Sequence, residues 1–378
     1  MNAQFSPDWA CLLETGSESE ALAWIASQTR DSVAGLRTGG LLPSRTPLMV
    51  AASVSASLVK ALLPISDALE ASASDKKTAL MIAAAAGRAD CVEALLPHSD
   101  ANAIEHWRDR TALMLAAVEG HDECVRILAP ESNLSQQESL GLTGLMTACA
   151  VGRWECVRWL ADEATARDVH PRTKMTALHM IAQNHMNSPA DLLKCLDCVL
   201  PQSDAMALDI DGKTAFEHAV SALRWAVAFA IAKSMDIGQE IARWDCLSRI
   251  VEKNEKSNST EKNELIVHVA KHMAASGQAA QLETAFENAV LAQSWASADA
   301  LSRWASPEDI IAARDRAAAL GEEALMPQIS SRAQAIELRE AADAAASASD
   351  RAARQGENAD LTPLSQHFLR PLRSVSRI

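Results

Sequence analysis

One phrase is written repeatedly along this chain, and self-similarity at a fixed period constrains a fold more than any local propensity. TALMIAAAAGRADCVEALL begins at Thr78, TALMLAAVEGHDECVRIL at Thr111 and TGLMTACAVGRWECVRWL at Thr143. Threonines in this phase stand at Thr46, Thr78, Thr111, Thr143, Thr176 and Thr214, in steps of 32, 33, 32, 33 and 38 residues. The long last step carries an insertion at HMNSPA, His185 to Ala190. A unit this short cannot bury an apolar face alone, so neighbouring units must stack.

The pattern inside the unit predicts two short helices. Threonine offers its hydroxyl to the first free backbone N–H groups of a helix. Leu80, Leu113 and Leu145 follow two residues later, then the small pairs Ala83-Ala84, Ala116-Ala117 and Ala148-Cys149, which let helices approach closely. Gly87, Gly120 and Gly152 are placed to end the first helix in a left-handed conformation. A second helix carries Cys91-Val92, Cys124-Val125 and Cys156-Val157, with Leu95, Leu128 and Leu160 one turn on. These recur at i, i+1 and i+4, as a buried helical face does. Polar turns such as SASDKK and EHWRDR lead to the next threonine. Composition agrees: alanine is abundant, aromatics are 4% and tyrosine is absent, which suits close-packed helices better than sheets.

TALMLAAVEGHDECVRIL is similar to the T-P-L-H-x-A-A-x-x-G-H pattern of the ankyrin-repeat family almost throughout, and the resemblance runs from about Arg45 to Asp236. It implies an all-α fold: an ankyrin-repeat solenoid of stacked helix–turn–helix units with short hairpin loops, followed by a divergent helical C-terminal region. The chain departs from the pattern in two ways. Methionine replaces the usual histidine at Met49, Met81, Met114 and Met146, and only His179 keeps it. P-x-S-D, at Pro64, Pro97 and Pro201, replaces the usual end of the second helix, so the hairpins are expected to differ in shape.

Residues 6–30 echo the helix–Gly–helix plan without T-x-L, as a terminal unit with one face in water does. The organisation expected is a capping helix pair over 1–44, repeats over 45–236, a divergent ankyrin-like region over 237–345 and a flexible tail over 346–378. TAFEHAV at Thr214 returns as TAFENAV at Thr284, which we read as two further periods. KNEKSNSTEKNE, Lys253 to Glu264, reads as a polar loop, a long helix is expected after Pro327, and Arg370, Arg373 and Arg377 make a small basic tail.

Fragments that mimic catalytic or metal motifs fail on inspection. LDIDGKTAF contains D-x-D-G, but a calcium loop needs glutamate at its twelfth position, where Val220 stands. A phosphate loop needs glycine where Ala207 stands. Cys195 and Cys198 form C-x-x-C, yet Cys195 occupies the repeat position of Cys91, Cys124 and Cys156, held by Leu58 in the first full unit. A position that accepts leucine or cysteine is an apolar contact, so a cysteine ladder is expected instead of a zinc or redox site. No nucleophile has a recognisable partner set. We therefore expect no enzyme, no catalytic or metal residues and no cofactor.

Function then falls to variable positions on the concave face and hairpin tips. The candidate protein-binding residues are Trp107, Arg108 and Arg110 in one loop, Glu119 and His121 at an inner-helix end, Arg153 and Trp154 at the matching place one unit on, and Arg172 and Lys174 in the following loop. Exposed Trp and Arg are enriched in binding hot spots. For Trp107 and Trp154 binding and packing weigh equally, whereas Trp159 and Trp225 are expected in the core. The net charge of -14 disfavours nucleic acid and anionic lipid. The first sixteen residues hold no basic n-region or long apolar run, no segment has the length of a membrane span, and eight cysteines without scaffold spacing imply reduced thiols. The expectation is a monomeric cytoplasmic scaffold that binds another protein, as an effector or inhibitor, with a bacterial look to its alanine content and P-x-S-D variant. The alternative is a regulatory subunit whose C-terminal helices bind a ligand or drive assembly.

Overall fold

The computed structural model describes residues 9–38, 44–184, 188–235, 246–252 and 259–355. Among them there is no strand, only one bridge between Ala71 and Thr78. The chain divides into two compact units, Met1–Glu240 and Ile241–Ile378.

The first unit opens with α1 (Trp9–Thr15), α2 (Glu18–Ala26) and α3 (Arg30–Ala34). Six helix pairs follow: α4 (Pro47–Ala52) with α5 (Ala56–Leu62), α6 (Ala79–Ala85) with α7 (Ala89–Leu95), and α8 (Ala112–Glu119) with α9 (Asp122–Leu128). Then come α10 (Gly144–Val151) with α11 (Trp154–Leu160), α13 (Ala177–Gln183) with α14 (Pro189–Val199), and α15 (Ala215–Ser221) with α16 (Trp225–Ser234). A short α12 (Glu163–Arg167) lies in the loop after α11. First helices stack on first helices and second on second, and α1 and α2 lie on α4 and α5 as a cap.

The pairs draw on a small set of shared local devices. Thr46, Thr78, Thr111, Thr143 and Thr214 accept from the backbone N–H three residues on, at 3.2–3.4 Å. Gly87, Gly120 and Gly152 have φ of 70°, 86° and 71°, and Leu223 takes the same slot at 60°. The next residue then bonds back five residues, as in Arg88 N–H to Ala83 O and Arg224 N–H to Ala219 O. This seals the end of the first helix and aims the second. Leu80, Leu113, Leu145, Leu178 and Phe216 form one buried column, where truncation to alanine costs roughly 2–5 kcal/mol. Leu58, Cys91, Cys124, Cys156 and Cys195 form another, no more than 2% exposed. Burial pushes the thiols of Cys91 and Cys124 up to about 11 and those of Cys156 and Cys195 to about 12.

P-x-S-D also has a physical role. Its proline sits in a single 3-10 turn that extends the second helix, at Leu63–Ile65, Leu96–His98 and Leu200–Gln202. Its aspartate opens the hairpin by accepting from the N–H two residues on, at 2.9 Å for Asp67, Asp100 and Asp204. The α8/α9 unit keeps the turn as P-E-S-N, with Asn133 accepting from Ser135 N–H at 3.2 Å, and the α10/α11 unit instead uses Asp162 to cap α12.

The second unit contains α17 (Cys246–Glu252), α18 (Thr260–Ala275), α19 (Ala279–Leu291), α20 (Trp295–Leu301), α21 (Pro307–Leu320) and α22 (Pro327–Gln355). The helix-ending slot persists: Gly277 and Gln293 have φ of 76° and 55°, and Gln278 and Ser294 bond back five residues. Thr284, however, caps nothing. It lies inside α19 and bonds Ala280 O, because that helix starts five residues before it. Phe286, Ala289 and Trp295 are buried as Phe216, Ala219 and Trp225 are, so the phrase keeps its packing and loses its cap. The expected polar loop over 253–264 is corrected in its second half, since Ser259 caps α18 and Lys262 is buried. Its first half, 253–258, lies outside the described residues, as do 185–187 of the insertion and the arginine tail. The helix expected after Pro327 runs to Gln355, past the boundary at 345. Asp299 holds its start, accepting from the N–H groups of Gln328 and Ile329 at 2.9 Å each.

Candidate partner-binding surface

Each array unit projects a hairpin turn closed by one polar residue. Ser72, Glu105, Glu138, His170 and Asp209 all lie buried at the start of the turn, and each donates its N–H to the residue that closes it. Glu105 turns its carboxylate onto the N–H groups of Trp107 and Arg108. Glu138 pairs with Arg110 of the preceding hairpin, with the glutamate side chain 1% exposed. Asp209 accepts from the N–H groups of Asp211 and Lys213 and pairs with His218 Nε2 at 2.7 Å. Burial pushes the Asp209 carboxyl up, but these donors outweigh it and hold it below the ordinary range. The D-x-D-G fragment is thus a turn whose aspartate is fully engaged. The residue before the closing position has positive φ in all five turns: Lys76, Asp109, Gly141, Lys174 and Gly212.

Main-chain bonds join tip to tip. His106 N–H donates to Asp75 O, Ser139 to Arg108 O and Ile210 to Thr173 O, each at 2.8 Å. At the remaining joint the donor position is Pro171, which has no N–H. His170 substitutes there, with Nε2–H donating to Leu140 O at 2.7 Å.

The tips carry a distinctive set of side chains. Of the eight large hydrophobic residues exposed among the described residues of the first unit, seven lie on hairpins: Leu69, Ile104, Trp107, Leu140, Val169, Leu208 and Ile210. Trp107 is 74% exposed. The eighth is Trp159, which corrects the core expectation: it faces outward from α11 with Arg158 over its ring at 4.6 Å. Trp225 is buried as expected.

The nine candidate binding residues part company here. Trp107, Arg108, Arg172, Lys174, Glu119 and Arg153 are exposed, the first four on hairpin tips, Glu119 at the end of α8 and Arg153 just before α11. Arg110 is a half-buried strut to Glu138. His121 donates from Nε2 to Ala85 O at 3.2 Å, and its ring occupies the space beside Gly87. Arg153 lies across Gly120 in the same way. Asn184 repeats the device one unit on, bonding Ala150 O at 2.8 Å. His121 and Asn184 thus cap the first helix of the preceding unit and have internal partners, whereas Arg153 only lies against Gly120 and stays exposed. Trp154 is half-buried on the second-helix side with Lys194 over it at 4.5 Å. His179, the one retained histidine, accepts at Nδ1 from Thr176 and donates from Nε2 to Lys213 O, and burial lowers its pKa.

Stacked helix pairs with bonded hairpins on one edge define the class of protein as a helical repeat array. A family model described as ankyrin repeats (3 copies) matches residues 22–104, 48–138, 98–171 and 113–196, reaching back into the cap helix α2. Residues 22–196 of the chain are therefore ankyrin repeats. No curated protein matches it. No helix among the described residues is long and apolar enough to cross a membrane.

Proposed function

We propose that this chain is a non-enzymatic scaffold that binds another protein through its hairpin tips and the adjoining first-helix face. It works in a reducing cytoplasm, as an inhibitor or effector that covers its partner's surface. Ankyrin arrays generally serve protein–protein interaction, and that fold-level association is one support. The observation that carries the reading is the concentration of exposed large hydrophobic residues on the bonded tips. Exposed apolar groups that gather in one place mark interaction sites, whereas scattered ones need no account. The test is co-purification with quantitative mass spectrometry, comparing the native chain with an Ile104→Ser/Trp107→Ser/Ile210→Ser variant and a Trp159→Ser control. A partner lost from the triple variant and kept by the control is expected. A partner kept by both refutes the reading.

A second reading gives assembly or ligand binding to the second unit. It is favoured by α22, where residues 337–348 are all exposed. Loss of the partner on Leu338→Asp, with retention by the triple variant, selects it.

A further inference from the structure

The tips are charged as well as apolar, and one sign dominates. Lys76, Arg108, Arg172, Lys174 and Lys213 are exposed within the turns, from opening to closing residue, against exposed Asp211 and half-buried Asp109, while Asp67, Asp100 and Asp204 are exposed further back, where the hairpins begin. None of these five cations forms a salt bridge among the described residues. The acids that could neutralise them are turned inward: Glu105 onto backbone N–H groups, Glu138 onto Arg110, Asp209 onto its own turn and His218. A chain of net charge -14 therefore presents a cationic strip on its joined hairpin edge. At physiological salt charge acts over about 8 Å, so a ligand at the tips responds to the strip more than to the distant excess of acid.

We infer that the partner segment is an extended acidic stretch of protein with large apolar side chains interspersed. This rests on the scaffold reading above and specifies its partner. The cations select carboxylates, and Ile104, Trp107, Leu140 and Ile210 take the apolar side chains between them. Nucleic acid fits the cations but not the aliphatic residues, which gain nothing from a phosphate backbone, and the net charge opposes it. Tip-to-tip bonding holds these groups in a row, which suits a ligand laid along the array.

The experiment pans a displayed library of random linear peptides against the full chain and against an Arg108→Glu/Arg172→Glu/Lys174→Glu variant. All three side chains are exposed, and a matched urea midpoint verifies the variant's fold. Selected peptides should be rich in Asp and Glu alternating with Leu, Ile or Phe. Their binding should fall at least about tenfold on the reversed variant and weaken with salt. Neutral or basic selected peptides overturn the inference, as does failure to select any, or acidic peptides that bind both proteins equally. An oligothymidylate probe that binds the native chain more tightly than the selected peptides, and is lost from the variant, overturns it in favour of nucleic acid. A cellular partner that depends on Ile104 and Trp107 but has no acidic segment refutes this inference and leaves the scaffold reading standing.

Discussion

Gly141 and Gly212 occupy the same slot in two hairpins, with φ of 88° and 72°, and substituting each with alanine separates two kinds of glycine requirement. A methyl group at Gly212 meets nothing within 4 Å. Two other units hold lysine in this slot, and a third holds aspartate, so only left-handed strain opposes the change, about 1 kcal/mol. A methyl group at Gly141 sits 2.6 Å from Pro171 Cδ and 2.7 Å from Cγ. A proline ring cannot rotate away, so the tips must separate, and overpacking of this kind costs about 1–3 kcal/mol. Separation also weakens the His170–Leu140 bond that replaces the missing main-chain joint, about 1 kcal/mol more. Gly141→Ala should therefore lose about 3 kcal/mol or more, and Gly212→Ala about 1. Urea unfolding followed by tryptophan fluorescence and helical circular dichroism measures both. Pro171→Ser opens space and restores an N–H, so it should recover most of the excess in the Gly141→Ala background. Equal losses for the two alanine variants, or no recovery, would refute the collision argument.

Other perturbations test separate parts of the fold. His179 is held neutral by burial, so its contribution is complete above the ordinary histidine pKa and is lost as pH falls through that value toward the lower folded one. His179→Met, which copies the other units, should flatten the acid side of the melting-temperature profile; an unchanged slope contradicts the assignment. In native protein iodoacetamide should label exposed Cys11, with Cys91, Cys124, Cys156 and Cys195 silent until urea is added; prompt labelling of the four by mass spectrometry removes the ladder. Cys124→Val should fold with a normal urea midpoint, because the site is apolar, and a well-folded variant that lost partner binding would count against packing as its role. Glu138→Gln removes the charge that faces part-buried Arg110 and should lower the urea midpoint more than Arg126→Gln at its exposed pair with Glu123; equal shifts would contradict a structural role for the inter-hairpin pair.

The fold was legible where one residue type recurs for one local reason. Threonine caps, left-handed glycines and the cysteine column each repeat at the unit period, and each works through backbone geometry or burial that needs no knowledge of the neighbour. The candidate surface was legible only in part. Trp107, Arg108, Arg172 and Lys174 stand exposed in turns, and local reading suffices for that. Arg110 and His121 read no differently in sequence, but their partners lie 28 and 36 residues away, on the unit after and the unit before. The buried column of Ser72, Glu105, Glu138, His170 and Asp209 escaped because five residue types fill one role, so no identity recurs. Trp159 misled because an aromatic one residue before a buried leucine looks like part of its face, whereas helical rotation turns it outward.

The tip joints have a consequence for how such a chain changes over time. His106, Ser139 and Ile210 make their bonds through the main chain, so those joints are indifferent to which side chains they carry. Specificity at these hairpins can be rewritten residue by residue without reopening the stack. The Pro171 joint is the exception, since it depends on the imidazole of His170 and on the bare backbone of Gly141. Substitutions should drift freely along most of this edge and be locked at that one hinge of the alphabet.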